Sequence, residues 1–111
     1  MKKRSGRRTA SIVAAIALLT ACTPAEVRGP QRIDRWSVTD DVVHLLVDTC
    51  NGDPEAEVVE TDLTVTITVT STRRDPGDDC QDELAVTLEA PLGDRTLIDT
   101  VTGRQPEPLE G

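Results

Sequence analysis

The residues with the clearest capacity for chemistry lie in the segment DPGDDCQDE at residues 75–83. Its side chains include five carboxylates: Asp75, Asp78, Asp79, Asp82 and Glu83. Carboxylate oxygens are hard ligands of the type that Ca²⁺ prefers, but their spacing does not match an EF-hand loop, which needs glycine at its sixth position. We interpret the segment as a solvated acidic loop pinned by Cys80. A weak Ca²⁺ site is the alternative, and no other cofactor is expected.

Nucleophilic catalysis needs a nucleophile and a base that is itself oriented. The only histidine, His44, lies inside the apolar stretch VVHLLV at residues 42–47, and the serines beyond residue 22 are Ser37 and Ser71. A single histidine in an apolar strand is more often packed or exposed at an edge than catalytic. The sequence therefore predicts no catalytic residues, and a small hydrolase is the least favoured function.

The first 21 residues have the organisation of a secretory signal. Basic residues at positions 2–8 precede a stretch without charge at residues 9–21. This stretch is too short to span a bilayer, which takes about 20 apolar residues. A basic start, a short apolar run and small residues at its end predict a signal helix that is cleaved near Ala21.

The end of this signal resembles the lipobox of bacterial lipoproteins. Leu19-Thr20-Ala21-Cys22 has the aliphatic residue, small residue, alanine and cysteine of that motif. In that family the cysteine thiol receives a diacylglyceryl group and the signal is cut just before it. The resemblance implies that Cys22 is lipidated and that two acyl chains attach the protein to the membrane. An ordinary secretory signal and an uncleaved signal anchor remain open.

Cys50 and Cys80 are the two cysteines that remain after Cys22. An exported protein meets an oxidising compartment, where such a pair predicts a disulfide. A small domain with Trp36 as its only aromatic residue also needs a covalent cross-link, because its hydrophobic core buries little apolar surface. Two free thiols or a pair of metal ligands are the alternatives.

The charge of the chain changes when the signal is removed. Seven of the 12 basic residues and all 20 acidic residues follow Ala21, so residues 22–111 carry a formal charge of −13 and contain no lysine. Nucleic-acid binding needs clustered lysine or arginine and is therefore excluded. Such a surface favours solubility, and it is repelled by anionic headgroups.

Between residues 32 and 103 the apolar pattern has the period of two that is typical of strands. The clearest case is LTVTITVT at residues 63–70, which places Leu63, Val65, Ile67 and Val69 on one face and four threonines on the other. Further strands are predicted at residues 32–38, 42–47, 57–60, 84–89 and 96–101. The sequence thus predicts an all-β fold of five or six antiparallel strands, as a small sandwich or a curled sheet.

Two further features have both a structural and a functional interpretation. The threonine face of residues 64–70 is interpreted as the wet side of a sheet, and contact with a partner, a glycan or ordered water is the alternative. The segment PLGDR at residues 91–95 predicts a tight turn with a solvent-facing Arg95. A role for Arg95 as a binding group is the alternative.

The region from residue 48 to about residue 103 resembles small secreted domains of high-GC Gram-positive bacteria (actinobacteria). The resemblance lies in DTCNGDPEAEVVETDLTVTITVTSTR, DDCQDELAVTLEAPLGDR and TLIDTVTG. In that group a cysteine pair brackets a Thr/Val hairpin, and a Pro-Leu-Gly-Asp-Arg turn follows. Many members have glycine soon after the last aspartate, where this chain has Thr100. The resemblance implies a fold and an extracytoplasmic compartment, and it implies no activity.

Together these patterns predict a lipid-anchored protein on the extracytoplasmic face of the cell membrane. Its expected function is non-enzymatic binding of an envelope protein, and a cation- or small-ligand-binding lipoprotein using residues 75–83 is the alternative. The predicted division is a signal at 1–21, the lipidated cysteine and a flexible tether at 22–32, a β-domain at 33–103 and a disordered tail at 104–111.

Overall fold

The computed structural model describes residues 25–75 and 79–109, and the regular elements of this part of the chain are all strands. They are β1 (Ala25–Gln31), β2 (Ile33–Thr39), β3 (Val42–Val47), β4 (Glu55–Glu60), β5 (Thr64–Asp75), β6 (Asp82–Thr87), β7 (Thr96–Asp99) and β8 (Glu107–Pro108). The predicted all-β fold is confirmed. The predicted signal helix and Cys22 lie outside the described residues.

The first sheet is built around β5, which is the longest strand at 12 residues. Alternating threonine and aliphatic side chains favour this extended conformation because most of them are β-branched. β4 pairs antiparallel with one edge of β5. The other edge is shared, since β7 pairs in parallel with residues 64–67 and β1 pairs antiparallel with residues 69–75.

The second sheet has the strand order β6-β3-β2-β8. β3 lies in its centre, paired antiparallel with β2 and with β6. The short β8 pairs in parallel with β2. The prediction of antiparallel pairing is therefore wrong for β5–β7 and β2–β8. In the first of these, the chain passes through β6 in the other sheet before it returns, and such a crossover is what a parallel pair requires.

The two sheets enclose an aliphatic core between their inner faces. β3 and β5 contribute most of it, with Val43, Leu45, Val65 and Ile67 all fully buried. The predicted alternation of β5 is thus observed from Val65 onward. Leu63 is different, because it lies in the turn before β5 and is 77% exposed rather than buried.

The domain begins earlier than the sequence predicts. Residues 22–32 are predicted to be a flexible tether, yet Ala25–Gln31 forms β1 and pairs along its whole length with β5. Pro30 is compatible with this position because β1 is an edge strand, where a missing N–H need not break a sheet. The predicted boundary at residue 33 is therefore wrong.

The predicted disordered tail at 104–111 also contains structure as far as Leu109. Its backbone pairs with β2 through β8, and the indole N–H of Trp36 donates to the carbonyl of Pro106 at 3.0 Å. Pro106 itself is buried. The only aromatic side chain of the protein thus attaches a segment that has little apolar content of its own.

No helix in the described residues is long and apolar enough to cross a membrane.

Candidate functional site

One end of the sandwich gathers most of the residues that the sequence singles out. The loop at residues 48–54 between β3 and β4, the C-terminal half of β5 and the start of β6 meet there. We use the name Asp82 cluster for Thr49, Gly52, Ser71, Asp82 and the Cys50–Cys80 disulfide.

The predicted disulfide between Cys50 and Cys80 is confirmed, with a Cα–Cα distance of 5.1 Å across a sequence separation of 30. It joins the 48–54 loop to the residues that lead into β6. A loop of this length predicts about 3–4 kcal/mol of stabilisation from the lost entropy of the unfolded chain.

The carboxylate of Asp82 is the centre of the cluster. Its Oδ2 accepts from the Thr49 hydroxyl at 2.6 Å and from the Gly52 N–H at 2.8 Å. Its Oδ1 accepts from the Asn51 N–H at 2.9 Å. The hydroxyls of Thr49 and Ser71, both buried, lie 2.8 Å apart. Asp82 therefore binds the 48–54 loop and satisfies two of its backbone donors, which would be costly to bury without partners.

Gly52 permits the loop to approach β5 this closely. A Cβ at this position would collide with Ser71 Oγ and with the Thr72 carbonyl oxygen. The neighbours of Gly52 both have left-handed backbones, with φ of 54° at Asn51 and 56° at Asp53. Asn and Asp tolerate this conformation better than other side chains, so the loop uses the residue types that its shape requires.

The electrostatics of Asp82 follow from these contacts. Burial alone would raise the pKa of its carboxyl group, but the hydrogen bonds from Thr49, Gly52 and Asn51 stabilise the charged form. The positive charge of Arg74 acts in the same direction. The net result is a pKa below the ordinary value for aspartate, so Asp82 is ionised at neutral pH.

Two arginines donate hydrogen bonds to backbone carbonyls of the same 48–54 loop. Arg28 on β1 donates to the carbonyls of Gly52 at 2.8 Å and Asp53 at 2.9 Å. Arg74 on β5 donates to the carbonyl of Asn51 at 3.2 Å. The sequence did not indicate these roles, because Arg28 falls in the predicted tether.

The five predicted Ca²⁺ ligands are not assembled by the described residues. Asp82 and Glu83 are adjacent on β6, so they project from opposite faces of the sheet, and Asp82 is already bound to three donors. Asp79 is exposed. Asp78 and the side chain of Asp75 lie outside the described residues, and within the described ones no three His, Cys, Asp or Glu side chains form a metal site. The Ca²⁺ site stays a prediction.

His44 is exposed on the outer face of the second sheet, opposite Ser37 on β2 and Ala85 on β6. Together with Glu83 and Leu109 it borders a small depression of about 40 Å³. The described structure contains no hydrogen bond between His44 and Ser37, although they are cross-strand neighbours.

Arg95 forms the main contact at the opposite end of the sandwich. The predicted turn at residues 91–95 is observed, with the Arg95 N–H donating to the Leu92 carbonyl at 3.1 Å, but the prediction that Arg95 faces solvent is wrong. Its side chain is 14% exposed, and Nη1 lies 3.1 Å from Oε1 of Glu60. The guanidinium also donates to four backbone carbonyls, those of Leu92, Thr61, Ala90 and Pro91. We call Arg95, Glu60 and these carbonyls the Arg95 clamp.

Glu60 completes the clamp by accepting the Glu89 N–H at 2.8 Å. This hydrogen bond, followed by the contacts with Arg95, lowers the pKa of the Glu60 carboxyl group against the opposing effect of burial. The clamp thus holds the connection after β6 against the end of β4.

The threonine face of β5 is partly buried rather than fully wet. Thr68 and Thr100 have hydroxyls 2.8 Å apart, and those of Thr61 and Thr64 are 2.9 Å apart. Two of the four threonines on this face, Thr64 and Thr68, thus have hydroxyl partners within the fold. Contact of this face with a partner stays a prediction.

Asp99 is a buried residue that sequence reasoning missed. Its Oδ2 accepts from the Ile33 N–H at 2.9 Å and its Oδ1 from the Val101 N–H at 3.0 Å. It thereby joins β7 to the start of β2. A lone aspartate among apolar residues in TLIDTV was the signal that could have identified it, since buried carboxylates need partners.

Comparisons with models of protein families, with curated proteins and with solved structures found no match.

Proposed function

We propose that the protein is a lipid-anchored domain of the cell envelope, held on the extracytoplasmic face of the membrane through Cys22, and that it binds another envelope component without catalysing a reaction. The observation that carries the proposal is the position of the lipobox cysteine, three residues before the first strand. A lipid at that site leaves the folded domain beside the bilayer.

The Cys50–Cys80 disulfide supports the compartment, because such bonds persist in oxidising environments and are rare in the cytosol. The engagement of Asp82, Arg95 and Asp99 in internal hydrogen bonds supports a non-enzymatic role. Groups that maintain loops in this way are not free to act on a substrate.

The intact mass of the protein from the membrane fraction tests the anchor. We expect a chain that begins at Cys22, carries a diacylglyceryl group and lacks the two thiol hydrogens of Cys50 and Cys80. The variant Cys22→Ala should retain its signal and lose the lipid. A double replacement of Cys50 and Cys80 by serine is the matched control, because it should keep the lipid. An unmodified chain in the medium would contradict the proposal.

Crosslinking in intact cells tests the binding role. A lipidated domain that binds an envelope component should give a crosslinked species of defined mass. A version in which residues 1–22 are replaced by an ordinary secretory signal that is fully removed should not give it, because that version is not held at the membrane surface. Recovery of only uncrosslinked protein at all crosslinker lengths would contradict this part of the proposal.

A further inference from the structure

We propose that the protein lies with its disulfide end against the bilayer and with the Arg95 clamp pointing away from it. This orientation rests on the lipid anchor at Cys22 of the proposed function. Its contact with the membrane is made by the β1–β5 ribbon, which we define as residues 25–28 of β1 paired with residues 72–75 of β5.

The length of chain between the anchor and the fold gives the first reason. Three residue steps separate Cys22 from Ala25, where β1 begins. Even fully extended, they span at most roughly 11 Å. The headgroup layer on one side of a bilayer is itself roughly 5–8 Å thick. The end of β1 therefore cannot move far above the headgroups.

The direction of β1 determines which end of the sandwich is held there. Ala25 pairs with Asp75, and the strand then runs to Gln31, which pairs with Val69. Arg28 in this strand contacts the Gly52 carbonyl, so the ribbon stands beside the Asp82 cluster. An anchor before Ala25 thus draws the disulfide end, and not the opposite end, toward the bilayer.

The ribbon extends beyond its neighbouring strands. The partners of β5 on β4 end at Thr70, and those on β7 end at Ile67. Val27 shares a face with buried core residues of β5 but is 63% exposed, because the second sheet does not cover it. An exposed valine beside Arg73 and Arg74 suits a headgroup region, which accepts both apolar and cationic side chains.

The two ends of the sandwich differ in their arginines, although both carry exposed carboxylates. Of the seven arginines that follow Cys22, only Arg95 lies among the turns of the opposite end, and its charge is paired with Glu60. Those turns carry the carboxylates of Asp40, Asp41, Asp62, Glu89 and Asp94. Exposed carboxylates also lie at the disulfide end, at Asp48, Asp53, Glu55 and Asp79. The direction of β1 from the anchor, and not the net charge, therefore selects the orientation. Glu26 also lies in the ribbon, where it pairs with Arg74 at 3.0 Å.

The orientation leaves the turn at residues 61–63 projecting outward. Leu63, the most exposed of the large apolar side chains in the described structure, lies in it. This end would be free to meet an envelope component, whereas the ribbon would be covered by lipid.

Paramagnetic broadening of amide signals tests the proposal. The lipidated, isotope-labelled protein would be placed in bicelles with and without a lipid that carries a gadolinium chelate on its headgroup. We expect the amide signals of residues 26–28 and 72–74 to be lost, and those of residues 40, 62 and 94 to be retained. Equal broadening of both groups, or stronger broadening of the second, would overturn the orientation.

A longer tether provides the control. Twelve Gly/Ser residues inserted between Thr23 and Pro24 add a mean span of roughly 20 Å, and the ribbon signals should then return. If the longer tether did not restore the ribbon signals, the short connection between Cys22 and β1 would not be what keeps the ribbon at the membrane surface. A protein without the diacylglyceryl group by intact mass would instead refute the proposed function, which separates the two failures.

Discussion

The two ends of the sandwich hold their loops with groups of opposite charge. In the Asp82 cluster a carboxylate accepts backbone N–H groups of the 48–54 loop, whereas in the Arg95 clamp a guanidinium donates to backbone carbonyls. The sequence separations also differ. Asp82 reaches a loop 30 residues earlier and has no contact within its own connection. Arg95 also has distant partners, Glu60 and the Thr61 carbonyl, but three of the four carbonyls that it binds lie only three to five residues before it.

This difference in separation indicates what each end contributes. Contacts between distant parts of the chain close a large loop, which costs entropy, so their loss should affect the stability of the whole domain. Contacts within residues 89–95 shape one connection and should affect mainly that connection. The disulfide spans the same connection as the Asp82 hydrogen bonds, across a separation of 30 residues.

The largest effect is expected from removal of the disulfide. Replacing Cys50 and Cys80 by alanine should lower the free energy of unfolding by about 3 kcal/mol, as measured by urea denaturation. Reduction of the unchanged protein should shift the midpoint by a similar amount, which guards against a packing effect of the substitutions. A midpoint that is insensitive to reduction would mean that the Asp82 hydrogen bonds alone hold this end.

Asp82→Ala should have the next largest effect. It leaves the N–H groups of Asn51 and Gly52 without their acceptor, so we expect a loss of about 2 kcal/mol in the free energy of unfolding. Glu83→Ala is the matched control, since it removes a carboxylate from the exposed face of the same strand, and should change stability by less than about 0.5 kcal/mol. Equal effects of the two substitutions would refute the role assigned to Asp82.

Arg95→Lys should have a smaller effect at the other end. Lysine keeps the charge near Glu60 but cannot donate to several carbonyls in the plane of a guanidinium, so a loss of about 1 kcal/mol is expected. Hydrogen exchange should show faster opening in residues 89–95 and little change in the 48–54 loop. Arg73→Lys, at an exposed position, is the control. Faster exchange at both ends would mean that the clamp stabilises the whole domain and not mainly residues 89–95.

The smallest effect concerns pH. Because the native pKa of Asp82 lies below its unfolded value, the unfolded state binds the proton first as the pH falls. The contribution of Asp82 is therefore complete above the ordinary aspartate pKa, and it is lost as the pH falls through the lowered one. The stability difference between the unchanged protein and Asp82→Asn should shrink across that acid range. A difference that stays constant with pH would contradict the pKa assignment.

Several parts of the fold were predictable because their patterns are local. The alternation of β5 and the apolar run of β3 determined two central strands, and the cysteine pair predicted the disulfide. β1 was not predictable, because AEVRGPQ contains glycine and proline and has no alternation. Its partner is the end of β5, most of which lies beyond the alternating stretch at residues 63–70.

The contacts at the two ends were harder to predict because the residues that form them are far apart in the sequence. Glu60 and Arg95 are 35 residues apart, and Ile33 and Asp99 are 66 apart. Nothing in the neighbourhood of either charged residue indicates its distant partner. The loop at 48–54 falls between the strands predicted at 42–47 and 57–60, but the carboxylate that it binds could have been any of the acidic residues that follow.

The pairing of β2 with β8 also has a consequence for the order in which the domain folds. The indole of Trp36 finds its acceptor 70 residues later, and the Leu109 N–H donates to the Trp36 carbonyl at 2.7 Å. Contacts so far apart in sequence form slowly. A chain that crosses a membrane with its N-terminus first would present β2 with an open edge until the last residues emerge. β8 thus covers the outer edge of β2, and a chain shortened before Pro106 would leave that edge open to pairing with strands of other molecules.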